Sequence, residues 1–245
     1  MRWLSVFKKN SLDPINFSVL KTDIHSHLIP GIDDGAKNIE DSIRLISGLK
    51  QMGFSRFITT PHIMSDYYNN SPMKINSGLK NLRKALKVNN QNVEVFAAAE
   101  YYLDYEFEQS IIHNNNLMGF GDNNILIEFS FLQEPTNLDK IIFDLQTNGY
   151  NVVLAHPERY LYYSPNDLEN LVNRGVLLQM NLLSMTGFYS PQVKKNASFL
   201  IEKNLVSFVG TDCHNMMQLQ KLEDCFTSPL WHKLLDSGKL LNDSL

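Results

Sequence analysis

The chain alternates short runs of aliphatic, β-branched and aromatic residues with longer stretches in which apolar residues recur every third or fourth position. The first pattern predicts buried strands and the second predicts helices with one apolar face. Seven strand runs qualify: "TDIHSHL" at 22–28, "RFITTPH" at 56–62, "VEVFAAAEYY" at 93–102, "NILIEFSF" at 124–131, "NVVLAHPE" at 151–158, "VLLQMNLL" at 176–183 and "LVSFVGTDCH" at 205–214. Between them, Asn38 is positioned to cap a helix carrying Ile39, Ile43, Ile46 and Leu49, which Gly53 ends. Asn137 similarly precedes Leu138, Ile141, Ile142 and Leu145, with Gly149 as the stop. "SPNDLENLVNRG" and "SPQVKKNASFLIEKN" repeat the plan, with proline in the first turn where its missing N–H costs nothing. The polar stretch 64–92 is expected to hold a helix flanked by loops, and the residues after His214 read as less regular helix.

Strands alternating with helices imply βα repeats around a mainly parallel sheet. No internal repeat, low-complexity tract or Pro/Gly-rich linker marks a boundary, so the expectation is one α/β domain over residues 1–245, with its motif-bearing core at 22–215. An α/β barrel commonly fills this length.

Composition narrows the partners. The formal charge of -4 and 20% charged residues leave no basic excess that would attract nucleic acid. Cys213 and Cys225 are too few for a disulfide framework. "MRWLSVFKKNSLDP" has an apolar stretch much shorter than a signal-peptide core, and no later run has membrane-spanning length, so a cytoplasmic protein is expected.

Six of the seven runs end in residues that bind metals or protons. His25 and His27 end the first, His62 the second, Glu100 the third, Glu128 the fourth, His156 the fifth, and Asp212 with His214 the seventh. In a parallel βα barrel these ends meet on one face, where such folds build their active sites. Residues two apart share a side of a strand, so each H-x-H or D-x-H pair is expected to aim two donors at one point. Glu100 and Glu128 follow apolar runs, where an unpaired carboxylate is costly to bury, and only Arg159 offers a nearby basic partner. Imidazoles and carboxylates without thiolate suit manganese, iron or zinc. Eight donors exceed the needs of one tetrahedral ion, so two or three ions are expected.

These motifs, in this order, resemble the PHP (polymerase and histidinol phosphatase) superfamily, and within it the manganese-dependent protein-tyrosine phosphatases of bacterial capsule and exopolysaccharide loci. "DIHSHLIPGIDDGAKN", "TTPHI", "AAAEYYLD", "ILIEFSF", "LAHPERY" and "GTDCHN" carry the resemblance, over residues 23–215. It implies a distorted (β/α)7 TIM-like barrel with a multinuclear manganese centre held by His25, His27, His62, Glu100, Glu128, His156, Asp212 and His214. It also implies a phosphatase acting on the tail of a bacterial tyrosine kinase, and relatives of this kind often form homo-oligomers. One of Asp33 and Asp34 matches an acidic position near the metals, and Arg159 matches a phosphate-binding arginine. A second basic residue expected shortly after His214 is missing, since "HNMMQLQ" contains none.

The chemistry implied is in-line attack by water that the ions convert to hydroxide, with Arg159 holding phosphoryl oxygens and His62 or Asp34 assisting the leaving group. A cysteine nucleophile followed six positions later by arginine is absent: Leu219 follows Cys213 and Trp231 follows Cys225 at that spacing. No G-x-S-x-G elbow or Walker loop occurs either. Competing readings are a histidinol-phosphate type phosphatase, a metal-containing phosphopeptide-binding module, and an amidohydrolase, which would want a bridging lysine that "VFAAAEYY" lacks. Tyr67, Tyr101, Tyr105, Tyr160 and Tyr162 are candidates to line the mouth of the site. Asn181 and Asp23 are candidates to orient the ligands from behind.

Overall fold

The computed structural model describes residues 12–245, so most of the stretch inspected for a signal sequence lies outside the described residues. In chain order the elements are β1 (Thr22–Asp23), α1 (Ile39–Gln51), β2 (Arg56–Thr59), β3 (His62–Ile63), α2 (Pro72–Val88), β4 (Glu94–Ala97), β5 (Glu100–Tyr102) and α3 (Tyr105–Ile112). They continue as β6 (Asn124–Glu128), α4 (Leu138–Thr147), β7 (Asn151–Ala155), α5 (Pro165–Asn173), β8 (Leu177–Asn181), α6 (Pro191–Glu202), β9 (Val206–Gly210), α7 (Met216–Lys221) and α8 (Pro229–Asp236). Helix starts follow the local chemistry. Asn38, Ser71, Ser164 and Ser190 each accept a backbone N–H at N3, and Ser164 with Asp167 forms a reciprocal capping box. Asn137 does not act as expected: it makes no side-chain cap, and its amide donates instead to Glu108.

Every strand pairing is parallel, in two sheets ordered β1-β2-β4 and β3-β5-β6-β7-β8-β9. The second and third predicted strands are each split, between β2 and β3 and between β4 and β5. Pro61 supplies one reason, because it has no N–H for the ladder. Single bonds bridge the breaks: Thr60 N donates to Ser26 O, Ala98 N to Thr59 O and Glu100 N to Pro61 O. The first run is strand only at Thr22–Asp23. Beyond it, Asp212 N donates to His25 O and His27 N to Cys213 O, so the first and last runs lie side by side. The result is a distorted βα barrel.

Alternation along the strands sorts the core into two layers. Ile125 and Ile127 of β6 and Val152 and Leu154 of β7 face the helices, within the larger apolar cluster. Leu126, Val153, Ala155, Ile24, Ile58, Ala98 and Phe208 form a separate cluster with Phe120. Two positions beyond Leu126 on the same strand face stands Glu128. The polar site therefore rests on a dry floor, and the same periodicity that builds the floor aims the carboxylate. Among the described residues no helix is long and apolar enough to cross a membrane.

Candidate metal centre

Eight residues read as donors from the sequence come together at the C-terminal ends of the strands, in three overlapping groups. In the first, His25 Nε2 and His27 Nε2 lie 3.4 Å apart. Glu100 Oε2 is 3.1 Å from the former and 3.4 Å from the latter. Asp212 Oδ1 completes the group at 3.4 and 3.5 Å from the same two nitrogens. In the second, Glu100 turns its other oxygen to His156 Nε2 at 3.2 Å, and Glu128 stands 3.6 Å from that nitrogen and 3.5 Å from His62 Nδ1. The third joins Asp34 Oδ1 to His62 Nε2 at 3.5 Å and to His214 Nε2 at 3.4 Å, with the His27 ring stacked on His214. Glu100 thus faces two groups, as a bridging carboxylate must.

The backbone that delivers these side chains departs from the expected strand alternation. His156 and Asp212 have φ of 35° and 49°, so both lie past their strand ends in the left-handed region. His214 is turned back by a bond from its Nδ1 to Asp212 O. Two glycines make room. A Cβ at Gly35 would fall 2.2 Å from His27 O, and one at Gly210 would fall 2.5 Å from His25 Cβ. The H-x-H segment is packed against backbone that has no space for a side chain.

The ambiguity over Asp33 and Asp34 resolves into two tasks. Asp33 Oδ2 accepts from His27 Nδ1 at 2.8 Å, and its Oδ1 accepts from Gly35 N. It orients a ring from behind, while Asp34 stands in the third group. His25 is held differently: its Nδ1 lies 2.7 Å from Gln179 Oε1, whose amide donates to Asn181 Oδ1. Asn181 Nδ2 then donates to Asp212 Oδ2 at 2.7 Å. One chain of buried amides on β8 thus fixes a histidine of the first run and an aspartate of the last. Asn181 was named from the sequence; Gln179 was not, although its place two residues earlier on the same strand face is the signal that could have found it. Asp23 touches no imidazole. Its carboxylate accepts from Thr211 N and Thr211 Oγ1, bracing the backbone between the two flanking runs.

The charge balance states what the site lacks. Glu100, Glu128, Asp212 and Asp34 converge, and the only Lys or Arg lining their cavity among the described residues is Arg159. Burial opposes ionisation of Glu100, but His25 and His62 outweigh it and hold its carboxyl well below the usual range. Burial, then the charges of Glu100 and Asp212, drive Glu128 well above it. Burial and the neighbouring Arg159 guanidinium push His156 down to about 4, and burial also keeps His62 low. Burial opposes protonation of His25 and His27, but Glu100 and Asp212 beside the first and Asp33 beside the second hold both above the usual value; metals ligate neutral imidazole and ionised carboxylate, so ion binding here releases protons. His62 Nδ1 is buried with no hydrogen-bond partner even though Glu100 Oε2 is 3.1 Å away, because the geometry is not that of a hydrogen bond. Lone pairs facing one another around a common centre fit divalent ions with mixed N/O ligands. The thiols take no part: Cys213 and Cys225 are buried, and burial raises both pKa values.

Above the donors is a cavity of about 300 Å³. Arg159 enters it between the rings of Phe131 and Tyr189, each centred 4.6 Å from the guanidinium, and donates from Nη1 to Asp212 Oδ2 at 3.2 Å. Where a second basic residue was expected, Asn215 and Gln218 line the wall instead. Lys221 is exposed and pairs with Asp224. The tyrosine candidates also need correction. Tyr101 and Tyr160 are buried, their hydroxyls accepting from Met118 N and Phe129 N, and Tyr162 donates to Ser130 O. Tyr67 and Tyr105 are exposed outside the cavity. Phe131, which ends the "ILIEFSF" motif three residues after Glu128, and Tyr189, which lies outside the motifs, form the aromatic walls.

Comparisons with known proteins give the chain a family. The model of the family described as "Capsular polysaccharide synthesis, CpsB/CapC" matches residues 21–230. Tyrosine-protein phosphatase YwqE of Bacillus subtilis is 33% identical over 230 residues, covering 89% of this chain and 90% of its own. A solved chain from the structures of YwqE and of CpsB from Streptococcus pneumoniae, described as metal-dependent tyrosine phosphatases, superposes with a TM-score of 0.75 at 32% identity, covering 91% and 94%. Histidinol phosphate phosphatase of Lactococcus lactis shares the fold alone, with a TM-score of 0.51 at 15% identity over 87% of this chain and 93% of that one. By the extent of these matches, the chain belongs to the CpsB/CapC family of capsular polysaccharide synthesis.

Proposed function

We propose that this protein is a metal-dependent phosphatase that hydrolyses phosphotyrosine on protein, with the tail of a bacterial tyrosine kinase of capsule or exopolysaccharide synthesis as its substrate. The observation that carries the reading is the union, in one cavity, of a three-group donor cluster with a single guanidinium clamped between two aromatic rings. His25, His27, Glu100 and Asp212 would hold one ion, Glu100, Glu128 and His156 a second, and Asp34, His62 and His214 a third. The donor chemistry suits manganese, iron or zinc, and the resemblance to manganese-dependent phosphatases puts manganese first. When bound, such ions act as Lewis acids toward phosphoryl oxygens and make water a competent nucleophile near neutral pH.

The protein's own groups do the rest. Arg159 presents its fork to phosphoryl oxygens, and its tie to Asp212 together with the two rings holds that fork in place before substrate arrives. Phe131 is half-exposed and lies nearly parallel to the His156 ring at 5.7 Å, offering a flat wall to an aryl ester. Asp34 is unsuited to donate a proton: burial opposes its ionisation, but His214 and then His62 hold its pKa down to about 2. A tyrosine phenol, with a pKa of about 10, leaves as phenolate without such help far more readily than an alkoxide. The site is therefore better matched to phosphotyrosine than to phosphoserine.

The test is phosphate release from p-nitrophenyl phosphate, a phosphotyrosine peptide and histidinol phosphate, after chelation and readdition of manganese. Metal-restored turnover of the peptide is the expected result. Turnover of histidinol phosphate alone would replace the reading with a small-molecule phosphatase. Metal retention without any hydrolysis would leave only a phosphopeptide-binding module.

A further inference from the structure

Beside the metal centre lies a second, larger cleft of about 610 Å³ that the reaction does not use. It opens where the helix ring parts. Helix α1 packs on α2 and α3 on α4, while the start of α2 and the first turns of α3 form opposite walls of the cleft. Its floor is apolar, from Tyr101 of β5, Phe107 of α3 and Leu117 of the loop before β6.

The wall shared with the catalytic cavity is β3 and the segment after it. His62 belongs to the cavity, whereas the next residue, Ile63, lines the cleft. Asn70 joins the two. It is 5% exposed, and its Nδ2 donates to His62 O at 2.8 Å and to Ile32 O at 2.9 Å. Its Oδ1, in the same cleft wall, is buried without any donor. That oxygen has no exposed surface, so an N–H that recovers the cost of leaving it unpaired must shift the Asn70 side chain as it docks. The polar rim has a sign as well. Asp104 and Glu106 are the charged groups lining the cleft, and no Lys or Arg lines it among the described residues. Asp104 is already engaged by Phe107 N and Ser65 N, so Glu106 is the free charge.

We infer that this cleft is a docking site for the polypeptide flanking the phosphotyrosine, taking an extended segment with an apolar side chain on the floor, a backbone N–H toward Asn70 and neutral or basic residues at the Glu106 rim. This rests on the phosphatase reading of the metal centre and names what that reading leaves open, the part of the substrate recognised besides the ester. The two openings share β3, since His62 and Ile63 are consecutive residues that line one each. The Tyr68 ring is stacked on His62 at 5.4 Å and 14°.

The experiment compares manganese-loaded unaltered protein with Ser110→Trp, which fills the cleft from α3, and Glu106→Arg, which reverses the rim. Substrates are p-nitrophenyl phosphate and two phosphotyrosine peptides, one with lysine-containing apolar flanks and one with glutamate in place of lysine. Ser110→Trp is expected to raise KM for the lysine peptide about tenfold while leaving kcat and p-nitrophenyl phosphate turnover within about twofold. Glu106→Arg is expected to invert the preference between the peptides. Unchanged peptide KM in both variants overturns the inference, as does an equal loss on peptide and p-nitrophenyl phosphate. No turnover of any substrate by the unaltered protein overturns instead the phosphatase reading beneath it.

Discussion

At the scale of single residues, the centre depends on groups that never touch substrate. Gln179 sets the tautomer and orientation of His25 and passes a bond to Asn181 and so to Asp212. Gln179→Leu keeps the volume and removes the relay; metal affinity should fall about 10- to 100-fold, read by competition with a chelating dye. Arg159→Ala should instead leave metal content intact and cut phosphate-ester turnover by about 100-fold or more, whereas His156→Ala should lower metal content and activity together. Glu158 offers a test in pH. Burial raises its pKa to about 7, and its Oε1 is held by Ser184 Oγ and Asn181 N while Oε2 has no partner. A carboxyl whose folded pKa exceeds its unfolded value of about 4.5 favours the fold fully below pH 4.5, and that contribution is lost as pH rises through 7. The loss is on the order of 3 kcal/mol. Glu158→Gln should therefore match the parent in Tm near pH 5 and exceed it near pH 8. A constant difference between the two melting curves across that range would remove the buried carboxyl from the account.

At the scale of elements, ligands sit where strands end rather than within them. The left-handed backbone at His156 and Asp212 swings each side chain across the top of the barrel after its strand has finished. Gly210 precedes one of these turns and lies against His25. Gly210→Ala forces a methyl to within 2.5 Å of His25 Cβ and 3.0 Å of Gln179 Nε2. It should cost about 1–3 kcal/mol in stability and reduce metal retention at the same time, measured by urea melts and elemental analysis. A variant that melts early but keeps its metal would show that the β9 turn and the H-x-H segment are not coupled.

At the scale of the whole molecule, the barrel brings four carboxylates to one rim and supplies one guanidinium against them. Bound ions relieve that repulsion, so they should stabilise the fold by mass action, by about 2.7 kcal/mol at a hundred times Kd. For a chain of this size that corresponds to a Tm gain of about 5–10 °C, lost on chelation and recovered with manganese. A Tm that manganese does not raise, in protein first shown to be metal-free, would contradict the assignment.

The donor set was legible before the fold because an apolar run ending in a histidine or carboxylate is a local pattern, and burial makes such a group conspicuous wherever it occurs. The helix starts were legible for the same reason: Asn38, Ser164 and Ser190 act on backbone three residues away. Strand continuity was less so. The Pro61 break and the unpaired stretch before β5 arise from how neighbouring runs meet, which periodicity does not encode. Three-dimensional packing alone separated Asp33 from Asp34, put Gln179 behind His25, placed Phe131 and Tyr189 around Arg159, and opened the cleft between α2 and α3. Which ionisable groups the protein carries, and at which strand ends, is a property of the chain. Which of them share a centre, and which stand behind it, is set by contacts between segments up to 188 residues apart, as between Asp23 and Thr211.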